Sequence, residues 1–221
     1  MTEHVLSLSN VVQDYLKAIW QATEWGGAPA TTTQLAAHFN TTAANVSDTL
    51  RRLAEAGLVT REPYRPVSLT PKGEQFALAM VRRHRLIETY LVSALGYTIA
   101  DVHDDAERLE HAASDTFMER IDALLGHPTS DPHGDPIPTR DGKIHYPPVA
   151  VPAMDAPPGR YRVVRVSDAD PEALAEIHEL RIHAGTIVNV TDGGDLTLAR
   201  DGGVASLPQR GMAAIRLAPE E

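Results

Sequence analysis

The sequence predicts a mainly α N-terminal part, a winged helix-turn-helix plus a helical dimerisation domain, followed by a small SH3-like β-barrel. Three observations carry this expectation. Apolar residues recur at helical spacing through most of the first 125 residues, two short β-prone runs flank a proline turn after the third helix, and the last 60 residues alternate strand-like runs with Gly-containing turns. The expected boundaries are a winged helix-turn-helix over 1–73, a helical metal-binding and dimerisation domain over 74–146, and the barrel over 159–221. A Pro-rich linker over 127–158 holds nine of the sixteen prolines.

The first helix is expected over Leu8 to Thr23, where Val11, Val12, Tyr15, Leu16, Ile19 and Trp20 share one face and Ser9 or Asn10 supplies the cap. Gly26, Gly27 and Pro29 end it. Thr32 or Thr33 opens a short helix through Phe39, and a turn at Asn40-Thr41-Thr42 leads to a third helix on Val46, Leu50, Leu53 and Ala54 that stops at Gly57. Two helices about a tight turn make a helix-turn-helix. Leu58–Arg61 and Val67–Thr70 then read as a β-hairpin wing about a turn at Pro63 to Pro66.

Beyond Pro71-Lys72-Gly73, one long helix is expected from about Glu74 to Leu95 and another from about Ile99 to Leu125, apolar enough to form a dimer surface as well as a core. In the last part, strands are expected at Arg160–Val166, Thr186–Val190, Leu196–Ala199 and Ala213–Leu217. A helix is expected from Pro171 to about Leu180, with turns at Asp192-Gly193-Gly194 and Asp201-Gly202-Gly203.

Cysteine is absent, so disulfides, thiolate nucleophiles and soft thiolate ligands are excluded, and any metal must sit on His, Asp, Glu, Met or backbone oxygen. No apolar run reaches the length of a membrane helix and no signal sequence is evident, so a cytoplasmic protein is expected. The net charge of −10 opposes DNA binding only in the aggregate. Residues 1–73 carry six Lys+Arg against six Asp+Glu, 74–126 carry five against ten, and 127–221 carry nine against fourteen, so the acidity lies outside the first third.

A helix in the major groove needs short polar side chains at its exposed N-terminal end and cations beyond. Thr41, Thr42, Asn45 and Ser47, with Arg51 and Arg52, meet that need, and Arg65 at the wing could reach phosphate; Asp48 works against it unless it accepts from a cytosine amino group. Histidines and carboxylates line two further helices. His84 and Glu88 stand four apart, and His103, Glu107, Glu110 and His111 form one stripe, while Asp14 lies on the first helix. A carboxylate-rich, sulfur-free set favours a hard ion such as manganese over copper or zinc.

These residues resemble the diphtheria toxin repressor family of metalloregulators, in its manganese-sensing branch with a C-terminal SH3-like, FeoA-type domain. The marks are Asp14-Tyr15-Leu16-Lys17-Ala18-Ile19, Asn45-Val46-Ser47-Asp48-Thr49-Leu50 before Gly57-Leu58-Val59, Leu69-Thr70-Pro71-Lys72-Gly73, Arg83-His84-Arg85-Leu86-Ile87-Glu88, Val102-His103-Asp104-Asp105-Ala106-Glu107, Glu110-His111 and Asp135-Pro136-Ile137-Pro138. The resemblance implies one metal site from His84, Glu88 and His103, completed by the C-terminal domain through Asp170 and Glu172. It implies a second from Asp14, Glu107, Glu110 and His111. Iron-sensing members place Met and Cys where Asp14 and Glu107 stand, which points to Mn2+, with Fe2+ as the alternative. Some manganese sensors carry a further Glu one turn after the first-helix Asp, where this chain has Lys17. The expected function is therefore a homodimeric, manganese-dependent repressor acting on a double-stranded DNA operator of metal-uptake genes, and not an enzyme or a membrane protein. A winged-helix regulator with an organic effector and an enzyme with a carboxylate-bridged metal pair are the rival readings.

Overall fold

A computed structural model describes residues 5–61, 65–147, 149–198, 204–205 and 207–220. The described residues form two compact units that do not follow chain order. One draws on Met1–His84, Glu110–Ala112 and Pro138–Lys143, the other on Arg85–Leu109, Ala113–Ile137 and Ile144–Glu221.

The first unit begins with α1 (Asn10–Thr23), which buries Gln13, Tyr15, Leu16, Lys17, Ile19 and Trp20. Two of these six are polar, an early sign that the inward face of α1 does more than pack. Tyr15 stacks on Phe39 at 4.3 Å, which seats α1 on the end of α2 (Thr32–His38). Thr31 caps α2 in a reciprocal box with Gln34, and Thr42 caps α3 (Ala43–Glu55) by accepting from the Asn45 N–H. Helix α3 buries Val46, Thr49, Leu50 and Leu53 and leaves its other face to solvent. The wing pairs β1 (Val59–Thr60) with β2 (Ser68–Leu69), Val59 opposite Leu69; Pro63 and Tyr64 of the expected turn lie outside the described residues.

Helix α4 (Pro71–Leu95) starts on proline, whose missing N–H would go unpaired at that position anyway. Thr70 caps it through the Gly73 N–H and donates to the Gly57 carbonyl. A side chain at 73 would place its Cβ 1.9 Å from the Leu58 carbonyl oxygen, so only glycine lets α4 leave the wing at this closeness.

The second unit packs Leu86, Ile87 and Leu91 of α4 against Val102 and Ala106 of α5 (Val102–Ala112), Met118 and Ile121 of α6 (Asp115–Leu124), and Ile137. One helix was expected from Ile99 to Leu125; the chain makes two. Ser114 breaks the run by turning extended and capping α6 through the Phe117 N–H, a local hydrogen bond that competes with helix continuation. The segment expected as an extended linker is also more ordered than its composition suggests. Asp131 accepts from the N–H groups of His133 and Asp135, Ser130 pairs with Pro136, and Asp131, His133, Asp135 and Ile137 are all buried.

The C-terminal sheet is antiparallel, in the order β3 (Val151–Pro152), β8 (Ile215–Pro219), β4 (Gly159–Val166), β5 (Ile187–Val190), β6 (Leu196–Leu198), β7 (Val204–Ala205). Along β4, Tyr161 and Val163 point inward and Arg160 and Arg162 outward, with a bulge between Val163 and Arg165. Its core joins Val188, Val190, Leu196, Ile215 and Leu217 to Ala173, Leu174 and Ile177 of α7 (Pro171–Glu179). This is the expected SH3-like barrel with one addition. Ala213 and Ala214, read as strand, belong to a short helix α8 (Gln209–Ala214) that precedes β8. Ala199 and the turn at Asp201 to Gly203 lie outside the described residues. Among the described residues no helix is long and apolar enough to cross a membrane.

Candidate metal centre

In the first unit, Asp14 of α1 and Glu110 and His111 each offer a ligand atom, and these atoms lie within 4.8 Å of one another. His111 Nε2 is 2.9 Å from Asp14 Oδ1. Its other nitrogen, Nδ1, lies 2.7 Å from the amide oxygen of Gln13. The Gln13 amide nitrogen donates to the Val5 and Leu8 carbonyls, so its oxygen faces the histidine and accepts a hydrogen bond from Nδ1–H. Nε2 then carries the lone pair toward Asp14, the arrangement that outer partners impose on a metal-binding imidazole.

Glu110 is fully buried and held on both oxygens, by Lys17 Nζ at 2.6 Å and by His84 Nδ1 at 2.6 Å. By the same tautomer argument, His84 presents Nε2 rather than Nδ1 to any ion. Lys17 went unassigned in the sequence. The chain thus places a cation of its own beside this carboxylate, which is what makes its burial tolerable. Glu107 stands one turn before Glu110 and His111 on α5, on the same stripe.

In the second unit, Glu88 of α4 lies 3.4 Å from His103 Nδ1 of α5, and His103 lies 3.7 Å from Asp168 in the loop after β4. His133 Nε2 is 3.9 Å from the same Glu88 oxygen. His84 precedes Glu88 by one turn of α4. Of the two C-terminal candidates, neither is placed here. Asp170 caps α7, accepting from the Glu172 and Ala173 N–H groups, and Glu172 pairs with Arg210 on an exposed face. Asp168, two residues before the cap, is the carboxylate of this stretch that lies beside His103. His133 was also missed, because its Pro/Gly-rich surroundings read as linker. Burial pushes the neighbouring Asp131 carboxyl well above the usual range, with Asp135 adding to the effect and the Arg85 guanidinium at 3.4 Å opposing it.

The exposed face of α3 carries the groove-reading candidates. Asn45 donates to the Thr41 hydroxyl, while Ser47 is half-buried with its carbonyl accepting from Arg61. Arg51 is paired within the helix to Asp48 at 2.6 Å and Glu55 at 2.8 Å, and Arg52 to Asp48 at 3.3 Å. The hydrogen bond from Arg51 holds the Asp48 carboxyl below its usual range, so Asp48 is ionised at neutral pH. Arg65 is exposed, between β1 and β2.

Comparison with known proteins gives these clusters their context. Residues 7–67 match the N-terminal DNA-binding domain of the iron-dependent repressors, and residues 70–139 match their metal-binding and dimerisation domain. The diphtheria toxin repressor of Corynebacterium efficiens is 30% identical over 95% of this chain and 96% of its own length. The iron-dependent repressor IdeR of Mycobacterium tuberculosis is 34% identical over 59% of the chain. Among solved structures, a manganese-dependent transcriptional repressor in complex with manganese is 43% identical with a TM-score of 0.85, covering 94% of this chain and 99% of that one. The manganese regulator SloR is 29% identical with a TM-score of 0.77, covering 95% and 98%. These relatives are repressors rather than enzymes, and the chain belongs to the iron-dependent, or diphtheria toxin, repressor family as a metal-dependent transcriptional repressor.

Proposed function

We propose that this chain is a manganese-activated repressor that binds an operator as a homodimer and holds two ions per protomer. The observation that carries the reading is the sulfur-free cluster of α1 and α5. Gln13 sets the tautomer of His111 and turns its Nε2 toward Asp14. Oxygen donors joined by one imidazole suit a hard divalent ion. One site is assigned to Asp14, Glu107, Glu110 and His111. The other is assigned to His84, Glu88 and His103, with Asp168 in the role expected of Asp170 and Glu172. The inclusion of His84 and Glu107 rests on helical spacing along α4 and α5. Manganese is favoured over iron by the lack of a sulfur donor in the assigned ligand sets and by the likeness to manganese-dependent repressors.

A bound ion supplies concentrated positive charge where carboxylates otherwise repel. Asp14, held against His111, pins α1, and α1 in turn seats α2 and α3 through Tyr15 and Phe39. The reading helix is thereby held in one position. Leu95, Leu109, Phe117 and Leu124 are exposed apolar side chains suited to a self-complementary interface, which would set two reading helices at half-site spacing. Metal strengthens DNA binding only by its preference for the DNA-competent state, about 1–3 kcal/mol of coupling.

The test pairs calorimetry of chelator-stripped protein, titrated with Mn2+, anaerobic Fe2+ and Zn2+, with gel shifts on operator DNA using Glu107→Ala and His103→Ala. The expected result is two Mn2+ per chain, one lost in each variant, and DNA retention that needs Mn2+. A stronger DNA response to Fe2+ would reassign the effector to iron. DNA retention indifferent to metal would sink the reading in favour of an organic effector.

A further inference from the structure

We infer that Asp48 of α3 is a specificity-determining residue, its carboxylate accepting from the exocyclic amino group of one cytosine in each operator half-site. The inference rests on the operator-binding reading above and deepens it by naming a base that the helix reads.

Asp48 stands in the middle of the exposed stripe of α3. Ala44 and Asn45 lie one turn before it and Arg51 and Arg52 one turn after, while Val46, Thr49, Leu50 and Leu53 are buried. The stripe belongs to the stretch that matches a DNA-binding domain. A carboxylate at its centre costs affinity for phosphate whatever the sequence, so its place there calls for a compensating contact. Arg51 donates to Asp48 Oδ1 at 2.6 Å, and Arg52 Nε lies 3.3 Å from Oδ2. One cation on each oxygen takes two of the roughly four lone-pair sites of a carboxylate and leaves the others for a donor on DNA. The bond from Arg51 holds the Asp48 carboxyl below its usual range, so at neutral pH the group only accepts.

The base edges sort against such a group. In the major groove guanine offers only acceptors, and thymine an acceptor and a methyl group, so neither can pair with a carboxylate. Adenine sets its amino group beside an acceptor nitrogen that repels the second carboxylate oxygen, whereas cytosine offers the amino group alone. The Asp48–Arg51 pair presents an acceptor next to donors, the complement of the donor next to acceptors that a C·G pair displays. Asn45 adds to the same bias. Its amide nitrogen donates to the Thr41 hydroxyl at 3.1 Å, which turns the amide oxygen away from Thr41 as a second acceptor toward the N-terminal end of the stripe. Arg52, at the longer distance, is the cation that can leave Asp48 for phosphate while Arg51 still holds the carboxylate.

The experiment uses the full chain with Mn2+. Duplexes are selected from a randomised pool by wild type, and fluorescence anisotropy is then measured on the recovered duplex and on versions in which each C·G pair is replaced by T·A or A·T, for wild type, Asp48→Ala and Asp48→Asn. The expected outcome is one cytosine per half-site whose replacement weakens wild type about tenfold or more. Asp48→Ala should bind the three versions alike within about twofold, and Asp48→Asn should shift the preference at that position toward adenine, whose edge an amide matches on both atoms. Preferences at the other positions should stay as they are. A change of affinity that is uniform across all duplexes, with the cytosine preference kept in both variants, would overturn base reading and leave Asp48 a partner of Arg51. A wild-type pool without such a cytosine would overturn it as well. Enrichment of no duplex by wild type, with or without Mn2+, would instead overturn the operator-binding reading on which the inference rests.

Discussion

His84 and Glu110 meet Nδ1 to Oε2 at 2.6 Å, both buried, and the second Glu110 oxygen is taken by Lys17. Glu110 is thus at once a candidate ligand of the Asp14 cluster and the outer partner that orients His84.

Removing the ammonium from this group leaves a buried carboxylate without its countercharge. Lys17→Met is expected to lower the stability of metal-free protein by about 3 kcal/mol. Mn2+ should then restore more stability to the variant than it adds to wild type, because the ion supplies the missing charge. Urea denaturation with and without Mn2+ measures both; equal metal-induced shifts would count against a role for Glu110 at the ion.

Gln13 is tested through His111. Gln13→Leu removes the acceptor of the Nδ1 proton, and the affinity of one site for Mn2+ is expected to fall about 10- to 100-fold, the usual consequence of losing an outer-shell partner. Calorimetry would show a single weakened step, and an unchanged titration would mean that the tautomer argument does not matter.

Asp168 can be separated from its neighbours in the C-terminal unit. Asp168→Asn should weaken the Glu88 site about tenfold or more, whereas Asp170→Ala should leave metal affinity alone and cost about 1 kcal/mol as a lost helix cap. Glu172→Gln should change neither beyond the small effect of a surface pair. Metal loss in Asp170→Ala with retention in Asp168→Asn would reverse the assignment.

For Arg51 and Arg52 of α3 to reach phosphate, as the sequence leads one to expect, they must give up their bonds to Asp48 and Glu55. Arg52→Ala is expected to weaken DNA binding across sequences and to reduce the slope of log affinity against log salt by about one. Asp48→Asn should raise affinity for non-cognate DNA, since it removes a negative charge, the ion-pair partner of Arg52 and one of the two carboxylates that hold Arg51. Fluorescence anisotropy over a salt series reads both, and a loss of non-cognate affinity in Asp48→Asn would show that its main task is to position Arg51.

Local features of this chain follow from its sequence because their causes are local. The helical stripes of His84 with Glu88 and of His103 through His111 are set by 3.6-residue periodicity, the caps by Thr and Ser beside free N–H groups, and the wing by β-prone runs about prolines. The family likeness is carried by the same short motifs. Tertiary structure alone decided the partners separated by long stretches of chain. Lys17 meets Glu110 across 93 residues, and Asp168 rather than Asp170 faces His103 because Asp170 is used up in capping α7. His133 is buried because Gly134 lets its loop lie against β4, a closeness that proline-rich composition does not announce. The break at Ser114 is intermediate, since a serine inside a helical pattern caps a new helix only where packing favours the bend. Sequence determines which residues share a face; which faces meet depends on the burial of the whole chain.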